Sequence, residues 1–207
     1  MSLPVLDDFN RTGESPLAGN WTAPDGVADS KFVLTSNHVT GQGLSTLQLM
    51  YWNADAFNTN HYAQATLGGN SLTSVATYAG VATRVQTTGQ NAYLFGFFAG
   101  SGNGYEIRKI VSGSISAVQT CTGTPTSGDK LKLEANGTTL TAYIDSGSGF
   151  TQVGQATGQN DFSNGAAGLY GYNGGDAFTL DDFVADDVGG GGGGGATTPR
   201  MTLLGVG

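Results

Sequence analysis

Residues 130–145 read KLKLEANGTTLTAYID. Leu131, Leu133 and Ala135 alternate with polar residues up to Asn136-Gly137, and Leu140, Ala142 and Ile144 alternate away from it. A period of two puts one set of side chains on one face of an extended strand. Asn-Gly favours the positive φ angles of a tight turn, so the stretch predicts a β-hairpin with one buried face. An isolated hairpin is marginal in water, so this one needs partner strands. Segments 44–52, 61–67, 75–86, 92–98, 105–111, 114–120 and 150–156 read the same way, each bounded by turn residues.

No segment carries a 3.6-residue apolar stripe longer than two turns. Glycine is 35 of 207 residues and glutamate only three (Glu14, Glu106, Glu134), a composition of short strands and turns rather than long helices. Glycines inside strand patterns, as in FGFFAG and LYGYNGG, suit strongly curved sheets. The expected fold class is all-β, a two-sheet antiparallel jelly-roll sandwich with an extended C-terminal tail. Residues 1–188 are expected to form the sandwich, 189–195 a polyglycine linker, and 196–207 an apolar docking tail. Leu6-Asp7-Asp8-Phe9 returns as Leu180-Asp181-Asp182-Phe183. Both copies are expected on neighbouring strands of one sheet, with Leu and Phe inward and Asp outward.

The formal charge is −8, with only 8 Lys+Arg against 16 Asp+Glu, so a nucleic-acid partner is not expected. No apolar run is long enough to span a membrane, and none is expected to bind one. Cys121 is the single cysteine, which excludes an intrachain disulfide and reads as a small buried or turn residue. The opening MSLPVLDDFNR shows neither a basic n-region nor an apolar h-region, so no secretory signal is visible. The expected setting is a virion surface or the extracellular space.

The order of the segments resembles the concanavalin A-like lectin/glucanase superfamily, the laminin-G-like jelly rolls, over residues 3–188. LDDFNRTGESPLAGNW (6–21) is similar to its entry strand, NTNHYAQATL (58–67) to an early sheet strand, and GVATRVQTTGQNAYLFGF (80–97) to the pair that follows. GDKLKLEANGTTLTAYIDSGSGFTQVG (128–154) and DFSNGAAGLYGYNGGDAFTLDDFVADD (161–187) resemble its closing series of strand, hairpin, G-x-x-G-L and F-x-x-D-D-F. The resemblance implies two curved sheets, the concave one often holding glycan. Fold alone leaves function open among glucanases, lectins, adhesion modules and virion proteins.

Glycoside hydrolysis needs two carboxylates across the scissile bond. The three glutamates lie far apart in sequence, and Asp7-Asp8, Asp181-Asp182 and Asp186-Asp187 are adjacent pairs whose members point to opposite strand faces. The superfamily's Glu-x-Asp-x-Glu strand is missing, so no enzyme is expected. There is no Gly-x-Ser-x-Gly, His38 and His61 are the only histidines, and GSGNGYE (100–106) reads as a hairpin loop rather than a phosphate loop.

Alternation places Ala79, Val81 and Val85 in the core, with Tyr78 and Arg84 outward, and Tyr105 and Ile107 in the core, with Glu106 and Arg108 outward. Arg84, Glu106 and Arg108 are therefore expected on one sheet face, with Asn91 and Trp52 at its rim, as a glycan-binding set. The competing reading is a solvent-facing Arg–Glu cross-strand pair without a ligand. Tyr93, Phe95 and Phe97 read as core. No cofactor is expected, except that the resemblance implies a structural calcium where the terminal strands meet, which would fall to Asp8 and Asp182; solvated edge charges are the alternative.

The seven glycines 189–195 lead into ATTPRMTLLGVG. Arg200, Met201, Leu203, Leu204 and Val206 form an apolar, strand-prone segment suited to adding itself to a neighbouring sheet edge. The expected partner is another protein subunit or a particle shell, which makes the protein oligomeric or assembly-bound; folding back onto its own sandwich is the alternative. The leading expectation is a non-catalytic structural or adhesion module displayed on a particle, such as a phage capsid decoration or tail protein, with cell-surface glycan as a further partner. A free lectin-like module and a diverged glycoside hydrolase are the alternatives.

Overall fold

The structure, a computed structural model, describes residues 3–24, 32–41, 47–69, 72, 77–99, 104–172 and 178–189. Among these every regular element is a strand. The strands are β1 (Val5–Asp7), β2 (Trp21–Thr22), β3 (Phe32–Thr35), β4 (His38–Gly41), β5 (Leu47–Trp52), β6 (His61–Gly68), β7 (Thr77–Val85) and β8 (Ala92–Ala99). They continue as β9 (Gly104–Val111), β10 (Ser114–Thr120), β11 (Lys130–Asn136), β12 (Thr139–Asp145), β13 (Thr151–Ala156), β14 (Ala166–Tyr172) and β15 (Thr179–Asp187). One antiparallel sheet runs β13-β12-β11-β6-β15-β4-β3, with β1 also paired to β15; the other runs β10-β9-β8-β7-β14-β5-β2. This is the two-sheet jelly-roll sandwich. The tail residues Arg200, Met201, Leu203, Leu204 and Val206 and glycines 190–195 lie outside the described residues.

Period-two patterning builds the core directly. Ala63, Ala65 and Leu67 of β6, with Leu131, Leu133 and Ala135 of β11, face Val81 of β7 and Tyr93, Phe95 and Phe97 of β8. The 130–145 hairpin forms, with Asn136 paired to Thr139. Its turn is Gly137-Thr138, one residue later than the Asn-Gly pair proposes, and Gly137 supplies the positive φ of 56°. The β3–β4 turn, Ser36-Asn37, has positive φ at both residues (50° and 63°), the geometry of a tight hairpin without any glycine.

The terminal echo meets in one sheet as expected: Val5, Leu6 and Asp7 pair with Ala185, Val184 and Phe183. Leu6, however, is 68% exposed, because Val5 takes the inward position of this short strand. Phe9 and Phe183 both reach Trp21, at 5.9 and 4.7 Å between ring centroids. The Trp21 indole donates to Asp7 Oδ2 (2.8 Å), and Arg11 bonds the other oxygen (2.6 Å).

Register shifts of one residue occur in four strand pairs among the described residues, and two of them redirect side chains of the core and the site. β15 gains an extra residue between Asp181 and Val184, where Asp182 has φ 49°, so Leu180 and Phe183 both point inward at a spacing of three. β7 gains one between Ala82 and Val85 opposite Gly168 and Ala166 of β14, with Arg84 at φ 52°.

At the centre of the second sheet, Gly80 of β7 is paired with Gly96 of β8. A Cβ on Gly96 would lie 2.0 Å from the Ala79 carbonyl oxygen, so backbone would have to move to admit any side chain. Gly96→Ala is expected to destabilise the fold by about 1–3 kcal/mol. Gly104→Ala, whose Cβ would meet nothing within 4 Å, should stay within about 0.5 kcal/mol of wild type. Urea denaturation midpoints measure both; equal midpoints for the two variants would show that the strands do not depend on this close approach.

Candidate functional site

The face of the second sheet turned away from the core carries its own apolar cluster, including Leu49, Ala82, Val85, Leu94 and Tyr170. Tyr78 packs against it and stacks on Phe98, ring centroids 4.1 Å apart, and Tyr172 tilts against Tyr78 at 5.2 Å. Arg108 lies over Phe98, 3.3 Å from the ring centroid, and its Nε donates to Glu106 Oε2 at 2.6 Å. Glu106 and Arg108 thus share this face, as alternation requires. They form an ion pair along one strand, with the arginine's flat surface occupied by an aromatic ring.

The other expected members are placed elsewhere. Arg84 is only 2% exposed and points between the sheets. The bulge is the cause: the extra residue with positive φ turns Arg84 inward and swings Val85, expected in the core, to the outer face beside Ala82. Gly165 makes room for this, since a Cβ there would lie 2.5 Å from the Arg84 carbonyl carbon. Trp52 also points inward, its ring against Trp21 and Phe183, and one side of the residue lines a cleft at the sheet end. Asn91 braces a loop junction: Nδ2 donates to Thr88 O (3.2 Å) and Oδ1 accepts from Ser112 N (2.8 Å).

At one end of the sandwich the β5–β6, β7–β8 and β13–β14 loops converge on a cleft of about 490 Å³. Tyr51, Asn53, Asp55, Phe57, Gln86 and Asn164 are among its walls. Gln86 Nε2 donates to Arg84 O (2.9 Å) and Asn164 O (2.7 Å), which fixes the amide. The Trp52 indole N–H donates to Asp55 Oδ2 (3.0 Å) and holds that carboxyl below the usual range. Planar amides beside a tyrosine ring match the two sides of a sugar, hydroxyls and C–H face. The alternation argument missed these amides because they sit in loops; the turn strings QTTGQN and SNG mark the loops, and only the topology brings them together.

Arg84 forms the floor of a second cavity of about 330 Å³ at the same end, lined by Asn60, Thr138, Gln159, Asn160, Phe162 and Ser163 among others. Its Nε and Nη2 donate to Thr59 O (3.2 and 3.0 Å), Nη2 also to Gly137 O (2.6 Å), and Nη1 to Phe162 O (3.0 Å).

Asp8 and Asp182 do come together, in a cavity of about 240 Å³ that also includes Asp7, Gln64 and Lys130. Asp8 Oδ1 accepts from Asn10 N (3.1 Å), Asp7 is held by Arg11 and Trp21, and Thr66 donates to Asp182 Oδ2 (3.3 Å). No group of three or more His, Cys, Asp or Glu side chains placed to hold a metal occurs among the described residues. Calcium takes six to eight oxygens, and a lysine ammonium in the same cavity opposes it, so this donor set does not fit the ion.

No family model matches the chain, and no curated protein sequence matches it. Solved structures do. The carbohydrate-binding module CBM66 from Bacillus subtilis aligns with a TM-score of 0.59 at 17% identity, over 82% of this chain and 93% of its own. The exoplasmic/lumenal domain of VIP36 in its Ca²⁺/Man3GlcNAc-bound form aligns at 0.55 and 12% identity, over 76% of this chain and 80% of its own. The fold is concanavalin A-like. Bacteroides ovatus xyloglucan PUL GH43B aligns at 0.61 and 20% identity over 91% of this chain, which spans only 40% of that protein. At these identities the concanavalin A-like likeness is one of fold.

Cys121 is buried, and burial pushes its thiol up to about 11, far from a reactive thiolate. His61 is fully buried; its Nε2 accepts from Arg84 N (3.1 Å), so Nδ1 carries the proton and donates to Asn58 O (2.8 Å). Burial first, helped by the Arg84 charge and opposed by the hydrogen bond to Asn58 O, lowers its pKa from the ordinary 6.5. The unfolded chain therefore binds this proton at higher pH than the folded one. Stability from His61 is full above about pH 6.5 and is lost as pH falls below it toward the folded-state pKa. Urea midpoints should drop between about pH 7.5 and about pH 5.5, and His61→Gln should flatten part of that drop. An identical pH profile in the variant would exclude His61 as a source.

Proposed function

We propose that this protein is a non-catalytic glycan-binding module whose binding site is the cleft beside Tyr51, Asn53, Gln86 and Asn164. The observation that carries the reading is the convergence of three amide side chains, that of Gln86 held in place, and an aromatic ring at a sheet end, in a cleft of about 490 Å³. The fold neighbours support it: one is a carbohydrate-binding module, and another was solved with Man3GlcNAc bound.

The placement of carboxylates argues against hydrolysis. Glu14 is tied to Arg11 (2.9 Å), Glu106 to Arg108 on the outer face of the second sheet, and Glu134 lies on the other sheet opposite Thr141. The cavity where Asp7, Asp8 and Asp182 meet holds Asp8, whose carboxyl is lowered from its usual pKa by the Asn10 backbone N–H, opposite to what a general acid needs. Display on a particle such as a virion, with the 196–207 segment docked on a neighbouring subunit, is the finer form of this proposal. It rests on the apolar Met201, Leu203, Leu204 and Val206 following seven glycines.

The full chain is expected to bind neutral glycans on an array. Gln86→Ala and Tyr51→Ala should each weaken that binding about tenfold, roughly 1.4 kcal/mol. Prolonged incubation should release no reducing sugar. Wild-type protein that binds no glycan, or either variant binding as wild type does, overturns the assigned cleft.

A further inference from the structure

A buried guanidinium is normally matched by a carboxylate, because removing its water is costly. Arg84 has no such match. Its bonds run to three backbone carbonyls, Thr59 O, Gly137 O and Phe162 O, which together take four N–H directions. The remaining N–H, on Nη1, has no acceptor among the described residues. Carbonyl dipoles partly compensate the charge but leave its full unit in place. Burial accordingly lowers the Arg84 pKa.

The cavity above Arg84 is free of acidic side chains among the described residues. That is notable in a chain with 16 Asp+Glu and 8 Lys+Arg. The two carboxylates close in sequence or space are turned to other partners. Asp161, in the middle of the lining loop, binds Lys109 Nζ at 2.8 Å; Asp187 accepts from Asn58 N at 2.8 Å. What faces the cavity is neutral and rich in donors. Asn60 Oδ1 accepts from Gly137 N (2.8 Å), which leaves its amide N–H₂ as the donor end. Asn160, Thr138 and Ser163 add an amide and two hydroxyls at the exposed rim. A ligand anion seated here meets an unpaired cation and several donors with no carboxylate to repel it.

We propose that the Arg84 cavity is a carboxylate subsite, which takes the uronate unit of an acidic glycan. The proposal builds on the glycan-binding reading and extends it to a second cavity on the far side of the β13–β14 loop.

Arg84 holds three loops, so its replacement risks the fold; Asn160 is exposed, and Asn160→Asp adds one charge to the rim without a change of shape. The test is a ¹⁵N NMR titration of the full chain at neutral pH and constant ionic strength with sodium glucuronate, glucose and sodium sulfate. Glucuronate should give saturable shifts at the Gly137, Thr138 and Asn160 amides and at Arg84 Nε–H; glucose should leave them unmoved. Asn160→Asp should weaken glucuronate about tenfold through like-charge repulsion, with neutral glycan binding at the Tyr51 cleft unchanged. No shift with glucuronate, shifts matched by glucose, or an unaffected Asn160→Asp would overturn the subsite. Sulfate binding as tightly as glucuronate would overturn the carboxylate assignment. Neutral glycan binding at the Tyr51 cleft without glucuronate binding sinks this inference alone. Glucuronate binding without any neutral glycan binding sinks the assignment of the first cleft and leaves this one standing.

Discussion

The Arg84 guanidinium is the tie on which the functional end of the sandwich depends. One residue inserted into β7 turns this side chain from the sheet face into the space between the sheets. There it gathers the carbonyls of Thr59 before β6, Gly137 in the β11–β12 turn and Phe162 in the β13–β14 loop. Two of those belong to segments of the opposite sheet, so one side chain clamps both layers. Its backbone N–H is satisfied by His61, a side chain of the opposite sheet. Each of these carbonyls would otherwise need water or another donor at a partly closed end. The clamp therefore satisfies three carbonyls, at the cost of an unpaired buried charge and one guanidinium N–H left over.

The same loop serves both cavities. Phe162 O is held by Arg84 and Asn164 O by Gln86 Nε2, two carbonyls fixed at a spacing of two residues. Ser163 lines one cavity and Asn164 the other. A loop pinned on both sides loses little freedom when a ligand arrives, and that loss is a large part of what weak binding sites forfeit. Gly165, at φ 140° and packed flat on the Arg84 backbone, is what lets the loop come this close.

How much of this was legible in the sequence follows from which parts obey a period of two. β6, β11 and β8 do, and Leu131, Leu133, Phe95 and Phe97 lie where alternation places them. Glu106 and Arg108 share a face for the same reason. Arg84, Val85 and Leu6 do not follow, and the causes are local. A bulge adds one residue without a composition signal, since Thr83-Arg84-Val85 carries neither glycine nor asparagine at the point of positive φ. β1 is only three residues, too short for its pattern to fix which residue faces in. The Ser36-Asn37 turn closes a hairpin that turn composition undervalues. The cleft amides were invisible for another reason: Asn53, Gln86 and Asn164 are far apart in sequence, and only the strand order brings their loops together.

Charge acts on this end of the molecule at two ranges. The chain as a whole carries −8, a field that repels acidic polymers at a distance. Salt near physiological strength screens that field over roughly 8 Å. Inside the Arg84 cavity water is partly excluded and the neighbouring carboxylates are turned to Lys109 and Asn58. Short-range attraction there is screened far less than the long-range repulsion. A site of this kind selects by contact rather than by steering: it gains nothing in encounter rate, and any preference for an anion arises only after the donors at Asn60, Asn160 and Arg84 are engaged.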